Sequence, residues 1–291
     1  EYWNSVFQPF LERLSNNQTP NPDVDCNRNV KFDTFFDVVT AGRQNLDQSF
    51  ENQIFVSGHY SKIKRNGDSN MLFRAFDRSK DQSYFLSSVR GAALKNVVFP
   101  LGTIEKTLIR KLAESRLLNL GEIARKKSSR GICFIGKRPF GEFVAQFLEP
   151  KKGYMIDIDT NERLAVHHNH FDYTVCQRAA IGGQIEPYFV AERMENGNLL
   201  VARGKTHPSL FSSRLLVEPP VWLNDADPAP SACRVQLNYR SPSVKARLTK
   251  HPKTGAHVIE LEQQVKRVSP GQVAVFYDAD DQQCFGSAVV K

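Results

Sequence analysis

Two cysteines in unusual surroundings are where this sequence could do chemistry. Cys133 lies in Gly131-Ile132-Cys133-Phe134-Ile135-Gly136, an apolar run with a glycine at each end. The basic stretch Arg125-Lys126-Lys127-Ser128-Ser129-Arg130 precedes it. Thiols react as thiolates, and nearby Lys or Arg lowers a thiol pKa. The competing reading is a structural cysteine in a buried strand, since free Cys is among the most buried residue types. Cys26 lies in Thr19-Pro20-Asn21-Pro22-Asp23-Val24-Asp25-Cys26-Asn27-Arg28. Two prolines in three residues are expected to exclude a regular helix there and push the residue before each to extended geometry. Asp23 and Cys26 are therefore expected on or beside a rigid loop, where function is often carried. Asp25 or Asn27 would cap a following helix with Val30, Phe35, Phe36 and Val39 inward. A thiol at that N-terminus, beside Arg28, would be acidified. An ordinary Pro-rich connection that contains a Cys is the alternative.

The elements that must position these residues are legible in outline. Trp3, Val6, Phe7, Phe10, Leu11 and Leu14 have helical spacing. Ile54–Tyr60 reads as a buried strand ending in Ser-Gly-His, a place where α/β sheets bind ligands; a surface histidine at a strand end is the plainer reading. Residues 61–76 predict a hairpin turning at Arg65-Asn66-Gly67-Asp68. Asp81 would cap a helix through Val89, and residues 105–118 predict a helix with Leu108, Leu112 and Leu117 inward. Phe140–Leu148 reads as a short helix.

From about residue 150 the pattern turns β-rich, with runs at Tyr154–Ile158, Arg163–Val166, Tyr173–Arg178, Tyr188–Arg193 and Leu199–Arg203 and a hairpin signal at Asn196-Gly197. Pro219-Pro220 and Asp225–Pro230 look like a linker. Beyond it, regularly spaced runs (Ala232–Tyr239, Val244–Leu248, His257–Glu262, Val273–Tyr277, Phe285–Val289) suggest a small β-barrel. The expected fold is thus α/β, a partial Rossmann-like nucleotide domain of the adenine-nucleotide alpha-hydrolase kind over 1–138. A β-rich domain follows over 139–220, then a C-terminal β-barrel over 221–291.

Composition narrows the function classes. The net charge of +8 fits a polyanionic partner, nucleic acid first. Five widely spaced cysteines with no CxxC pair read neither as a disulfide framework nor as a closed zinc site, and fit a reducing compartment. His167-His168-Asn169-His170 has the residue types of a polar loop, and no structural metal is expected. No stretch approaches the roughly 18 apolar residues of a membrane span, so no membrane partner is expected.

Several segments together resemble one family, the tRNA-specific 2-thiouridylases, which replace O2 of the wobble uridine with sulfur. They are Glu1-Tyr2-Trp3, Thr19-Pro20-Asn21-Pro22-Asp23 with Cys26-Asn27, Ser57-Gly58-His59-Tyr60, and Lys80-Asp81-Gln82-Ser83-Tyr84-Phe85-Leu86. Phe99-Pro100-Leu101-Gly102, Gly131–Gly136, Tyr173-Thr174 with Gln177-Arg178, and Pro270-Gly271-Gln272 follow in family order. The resemblance implies that Cys133 carries a persulfide and that Cys26 releases the thiolated base by forming a disulfide with it. It implies that Asp23 acts in proton transfer beside the target base, and that Asn21 and Pro22 complete the base-contacting motif. It further implies tRNA contacts at His59, Lys80, Asp81, Gln82 and Gln272, and more loosely at Asn238 and Tyr239. Gly58 matches a position at the ATP site. ATP with Mg2+ as cofactor, the tRNA anticodon stem-loop as substrate and a sulfur-donor protein such as a cysteine desulfurase relay are the implied partners. The chemistry is coherent: ATP adenylates a poorly electrophilic carbonyl oxygen, a persulfide delivers sulfur, and a second thiol attacks the S–S bond.

The chain also departs from the family pattern. The family's Ser-Gly-Gly-x-Asp-Ser loop lies upstream of Glu1 and is not in this sequence, so the chain alone is not expected to adenylate a substrate. It is expected to be part of a longer enzyme or to work with another chain; a non-catalytic tRNA-binding remnant is the alternative, and a thiol redox switch a third reading. Ser128 and Arg130 stand where bacterial members have Asp and Thr, and Cys176 stands where the family has Gly. Gly136-Lys137-Arg138 and Ala179–Gly183 look closer to mitochondrial members, which makes a mitochondrial location the expectation and a bacterial cytoplasm the alternative.

Overall fold

The structure, a computed structural model, describes residues 1–34, 37–38, 54–67, 69–115, 118, 120–125, 132–224 and 232–291. The expected positions Phe35, Phe36, Val39, Asp68, Leu117, Lys126–Gly131 and Asp225–Pro230 lie outside them. The chain opens with a helix that is π-wound over Trp3–Phe7 and α-helical over Gln8–Ser15 (α1). Its buried side is Val6, Phe7, Phe10 and Leu14, as the spacing predicts, whereas Trp3 stays largely exposed.

The Pro-rich segment differs from expectation. Pro22 opens a helix instead of excluding one: Pro22–Asp25 (α2) is α-helical and Cys26–Thr34 continues it as a π-helix. Proline is tolerated at the first helical position because the N–H it lacks has no partner there anyway. Asn21 is thus the residue before the helix, Asp25 and Asn27 cap nothing, and Cys26 is buried inside the helix.

Strand β1 (Phe55–Val56) is short and half-exposed, not buried. It pairs in parallel with a second short strand, Val97–Val98 (β4), and these two are the whole of that sheet among the described residues. Between them lies the expected hairpin, Ser61–Asn66 (β2) and Ser69–Arg74 (β3), turning at Gly67 with φ +56°. The helix expected to run from Asp81 to Val89 is one turn, Ser83–Leu86 (α3). Lys106–Glu114 (α4) forms, but Leu108 and Leu112 are 48% and 46% exposed rather than inward. A five-residue helix follows at Gly121–Arg125 (α5) and another at Phe140–Val144 (α6).

The middle of the chain is a four-stranded sheet of Gly153–Asp157 (β5), Arg163–His167 (β6), Tyr188–Arg193 (β7) and Leu199–Arg203 (β8), in the order β6-β5-β8-β7. The expected strand at Tyr173–Arg178 is instead a turn with one bridge, Arg178 to Phe189. Its Cys176 has φ +66°, which accounts for the family's glycine at a left-handed position.

The last sheet holds Phe211–Val217 (β9), Val221–Trp222 (β10), Cys233–Gln236 (β11), Val244–Lys250 (β12), His257–Lys266 (β13), Val273–Tyr277 (β14) and Gln283–Val289 (β15). Its order is β2-β3-β15-β14-β11-β12-β13-β9, with β10 on β15. The early hairpin β2–β3 is therefore part of the C-terminal sheet, through Gln283↔Phe73 and Cys284↔Leu72. Among the described residues no full ladder closes the sheet, but the bridge Val217↔Val290, with Glu218 N donating to Val289 O at 2.8 Å and Lys291 N to Leu216 O at 2.9 Å, brings β9 beside the end of β15 and curls the sheet into the expected barrel-like form. Two cores result, one on each face: Leu72, Tyr84, Leu86, Val275 and Tyr277 beneath the hairpin, and Val235, Ile259, Ala274 and Phe276 inside the curve of the sheet.

Candidate active site

The turn carrying Cys133 is held by its apolar neighbours. Phe134 packs edge-on against Tyr2, Phe7 and Phe10, with ring centroids at 5.9, 5.4 and 5.6 Å. Ile135 is buried in the same cluster, and Arg138 closes the turn by donating to the carbonyls of Ile135 and Phe134, both at 3.1 Å. Cys133 itself is exposed. The apolar run is thus an anchor for an accessible thiol and not a buried strand.

Cys26 is buried, on the helix that packs against the same N-terminal helix; Asn29 Nδ2 donates to the Ser5 carbonyl at 3.0 Å. Burial pushes the Cys26 thiol up; Lys31 opposes this, and the charges of Cys133, Asp23 and Asp25 add to it. The expected acidification by Arg28 is therefore corrected: desolvation outweighs the helix end. The interaction of Cys26 with Cys133 brings the two thiols into one electrostatic neighbourhood from 107 positions apart in sequence. Asp23 belongs to it too, and burial raises its carboxyl while Lys31 pulls it down.

Beside these groups lies a cavity of about 700 Å³. Asn21, Pro22, Asp23, Gln82, Tyr239 and Gln272 line it, together with Ile132. Of the predicted residues these six meet at one place. Thr19 N donates to the Pro270 carbonyl at 2.6 Å, and Gln272 Nε2 donates to the Thr19 carbonyl, which ties the C-terminal sheet to the loop before Asn21. Gly271 is required there, with φ +88° and a Cβ position 2.9 Å from both Gln18 Cβ and Thr19 N. The buried Tyr84 hydroxyl donates to the Val273 carbonyl at 2.8 Å, next to Gln272 in sequence. Tyr239 lies against Phe85, with centroids 4.4 Å apart.

The predicted triplet Lys80-Asp81-Gln82 divides. Lys80 is exposed and Gln82 accepts from Tyr60 N at 3.0 Å. Asp81 is only 5% exposed. Its carboxylate takes Arg74 Nη1 at 3.0 Å, Ala75 N at 2.8 Å, and Ser83 N and Oγ. It has no face for a direct RNA contact, because an acid buried against an arginine is already neutralised.

Arg74 is a residue that sequence reasoning missed. Its guanidinium also donates to Gln236 Oε1 at 2.8 Å and Asp281 Oδ1 at 2.8 Å, and lies 3.5 Å from the Tyr277 ring centre. Gln236 Nε2 in turn donates to the carbonyls of Asn238, Tyr239 and Ser241. One arginine thus joins the Asp81 loop to the loop bearing the exposed Asn238. Arg193 is the second omission. It donates to Tyr173 O and to Asn17 O and Thr19 Oγ1, linking β7 to the cavity.

Gly58 and His59 stand apart from the cavity, at the carboxyl end of the parallel pair β1/β4. A Cβ on Gly58 would meet nothing within 4 Å, so this end is open. His59 is packed against Phe32 and Phe99 and bonds Ser57 Oγ at 2.7 Å. Burial first and then Lys31 lower its pKa to about 4, so it is a neutral imidazole at physiological pH.

The family model described as "tRNA methyl transferase HUP domain" matches residues 1–137, "tRNA methyl transferase PRC-barrel domain" matches 141–203, and "Aminomethyltransferase beta-barrel domain" matches 212–290. The tRNA-specific 2-thiouridylase MnmA 1 of Geobacillus kaustophilus is 40% identical over 100% of this chain and 76% of its own length. The chain belongs to the tRNA-specific 2-thiouridylase family. The mitochondrial tRNA-specific 2-thiouridylase 1 of Drosophila melanogaster (34% identical, 99% of this chain and 75% of its own) and that of Homo sapiens (34%, 100% and 73%) fit the same family. For a thiouridylase, His167 and His170 are structural: both are buried, with ring nitrogens bonded to Gly197 O and Lys151 N. Among the described residues no group of three His, Cys, Asp or Glu is placed to hold a metal, and no helix is long and apolar enough to cross a membrane.

Proposed function

We propose that the protein transfers persulfide sulfur to C2 of a tRNA wobble uridine, with Cys133 and Cys26 as the working pair. The observation that carries this is the gathering of Cys133, Cys26 and Asp23 beside a cavity whose walls come from all three matched segments. A cavity of this size is in the range that accepts a small ligand or an extruded base. Cys133, exposed, is the carrier that a sulfur-donor protein can reach. Its terminal sulfur bonds to C2; the Cys26 thiolate then attacks the Cys133 sulfur. The electron pair of the broken S–S bond stays with the thiolated base, and the two cysteines are left as a disulfide. Cys26 is buried and poorly ionised at rest, which keeps it from discharging the carrier early. Asp23, with its raised carboxyl, takes or gives the proton in this sequence.

Asn21 and Pro22 hold the base, and His59, Lys80, Gln82, Asn238, Tyr239 and Gln272 form the tRNA-facing surface. Asp81 acts beneath them by fixing the loop that presents Lys80 and Gln82. When bound, ATP with Mg2+ supplies activation of the uridine oxygen as a leaving group; Gly58 would border it. We place the enzyme in mitochondria on its Gly136-Lys137-Arg138 and Ala179–Gly183 variants and its fly and human relatives, which cell fractionation checks. The functional test is 2-thiouridine formation on tRNA by the full-length protein with ATP and a persulfide donor, a cysteine desulfurase supplied with cysteine. Cys133→Ser and Cys26→Ser should each abolish it. Tight tRNA binding without sulfur incorporation by the unmutated protein would favour the non-catalytic reading.

A further inference from the structure

Two arginines line the cavity, Arg193 and Arg240. Arg193 is committed within the protein, to Tyr173 O, Asn17 O and Thr19 Oγ1. Arg240 is exposed at the solvent edge and, among the described residues, pairs with no carboxylate or carbonyl. An exposed arginine alone means little, but the turn that carries this one is braced. Ser241 N donates to the Asn238 carbonyl at 3.0 Å, and Ser241 Oγ accepts from Asn238 N at 3.2 Å. Gln236 Nε2 gathers the carbonyls of Asn238, Tyr239 and Ser241, and Arg74 holds Gln236 Oε1 at 2.8 Å. The Tyr239 ring rests on Phe85. The cavity therefore has a fixed cation at its edge with no anion of the protein's own. Its acids, Asp23 and Asp172, disfavour a phosphate deeper inside. A nucleotide that enters base first leaves a phosphate at the edge, where the arginine is.

We propose that Arg240 grips a backbone phosphate adjoining the target uridine and so holds the nucleotide while its base occupies the cavity. This rests on the reading that a tRNA uridine enters there, and it adds a charged contact that Asn238 and Tyr239 do not provide. The planar guanidinium takes two phosphate oxygens at once, which fixes orientation as well as position.

The experiment is binding of a labelled anticodon stem-loop RNA by the full-length protein, over about 0.05 to 0.3 M salt, where phosphate contacts show as a salt slope. Arg240→Gln should weaken binding by roughly tenfold at the low-salt end, the loss of one charge-assisted contact, and should flatten the slope of log Kd against log salt by about 0.7 to 1. Its melting temperature should stay unchanged, since the side chain touches nothing that folds the turn. Lysine at this position should restore the slope but only part of the affinity. The decisive arm uses RNAs with one uncharged methylphosphonate, placed 5′ or 3′ of the target uridine. One of the two should weaken binding to the unmutated protein by the same factor, and Arg240→Gln should not respond to it. Unchanged affinity and slope in Arg240→Gln overturns the inference, and so does a loss that adds in full to both methylphosphonates. The sulfur-transfer reading fails separately, if Cys133→Ser still thiolates tRNA.

Discussion

At the scale of single residues, Asp23 shows how the site trades stability for chemistry. Burial raises its carboxyl above the usual value, and Asp25 and Asp172 are raised by the same cause. The folded state then holds its proton to higher pH than the unfolded chain does. Between the two values the native state binds more protons, so stability falls as pH rises through that window. Asp23→Asn removes the charge and keeps the shape. Its melting temperature should rise by roughly 1–3 °C at pH 7.5, with the gain vanishing below about pH 4. Sulfur transfer should fall by about 10²- to 10⁴-fold, the usual weight of a positioned proton-transfer group, with tRNA affinity little changed. Thermal melts at the two pH values and single-turnover thiolation read both effects. A lower melting temperature at pH 7.5, or undiminished transfer, would sink the assignment.

At the scale of elements, the informative contact is the one made by β3. Arg74 leaves this strand and carries two loops, those of Asp81 and Gln236, with a side chain only 7% exposed. Arg74→Met strands the Asp81 carboxylate and should cost about 3–5 kcal/mol, the penalty of an unpaired buried charge. Adding Asp81→Asn removes that charge, so the double variant should be more stable than Arg74→Met alone, by chemical denaturation. Equal stability of the two would mean that the pair is not coupled. None of this was legible in the sequence. Charged residues are expected at the surface, and the pairing of β3 with β15 spans some two hundred positions with no local signal. What was legible depended on local rules: the 3.6-residue period of α1, the Asn-Gly turns, and the short apolar runs of β7, β8 and β14. The helix through Cys26 was misread because a proline that breaks a helix interior is welcome at its first position. The candidate residues were nominated by two short, specific motifs; that six of them line one cavity is tertiary, and so is the burial that reverses the expected acidity of Cys26.

At the scale of the whole molecule, two distant stretches of chain converge on the segment before Asn21. The C-terminal sheet arrives through Gln272 and Pro270, and the four-stranded sheet through Arg193. Asp23 follows directly, so the placement of the acid depends on contacts made by two other parts of the molecule. Arg193 is the more exposed of these dependencies to test. Burial lowers its pKa to about 10, so it remains charged at neutral pH, and its fork spans Tyr173 O, Asn17 O and Thr19 Oγ1. Methionine fills the same space without a donor and leaves these acceptors unpaired, at a cost of about 1–3 kcal/mol. Lys80 and Asn238, exposed and proposed to contact tRNA, lie on other loops and should be undisturbed. Arg193→Met should therefore bind tRNA with nearly unchanged affinity while its single-turnover transfer rate falls by roughly tenfold or more, since a displacement of about 1 Å at a reacting group is enough for that. Lysine, with one compact donor, should recover only part of the rate. The converse pattern, weakened tRNA binding with transfer intact, would make Arg193 an RNA contact and not the tie that sets Asp23 against the two cysteines.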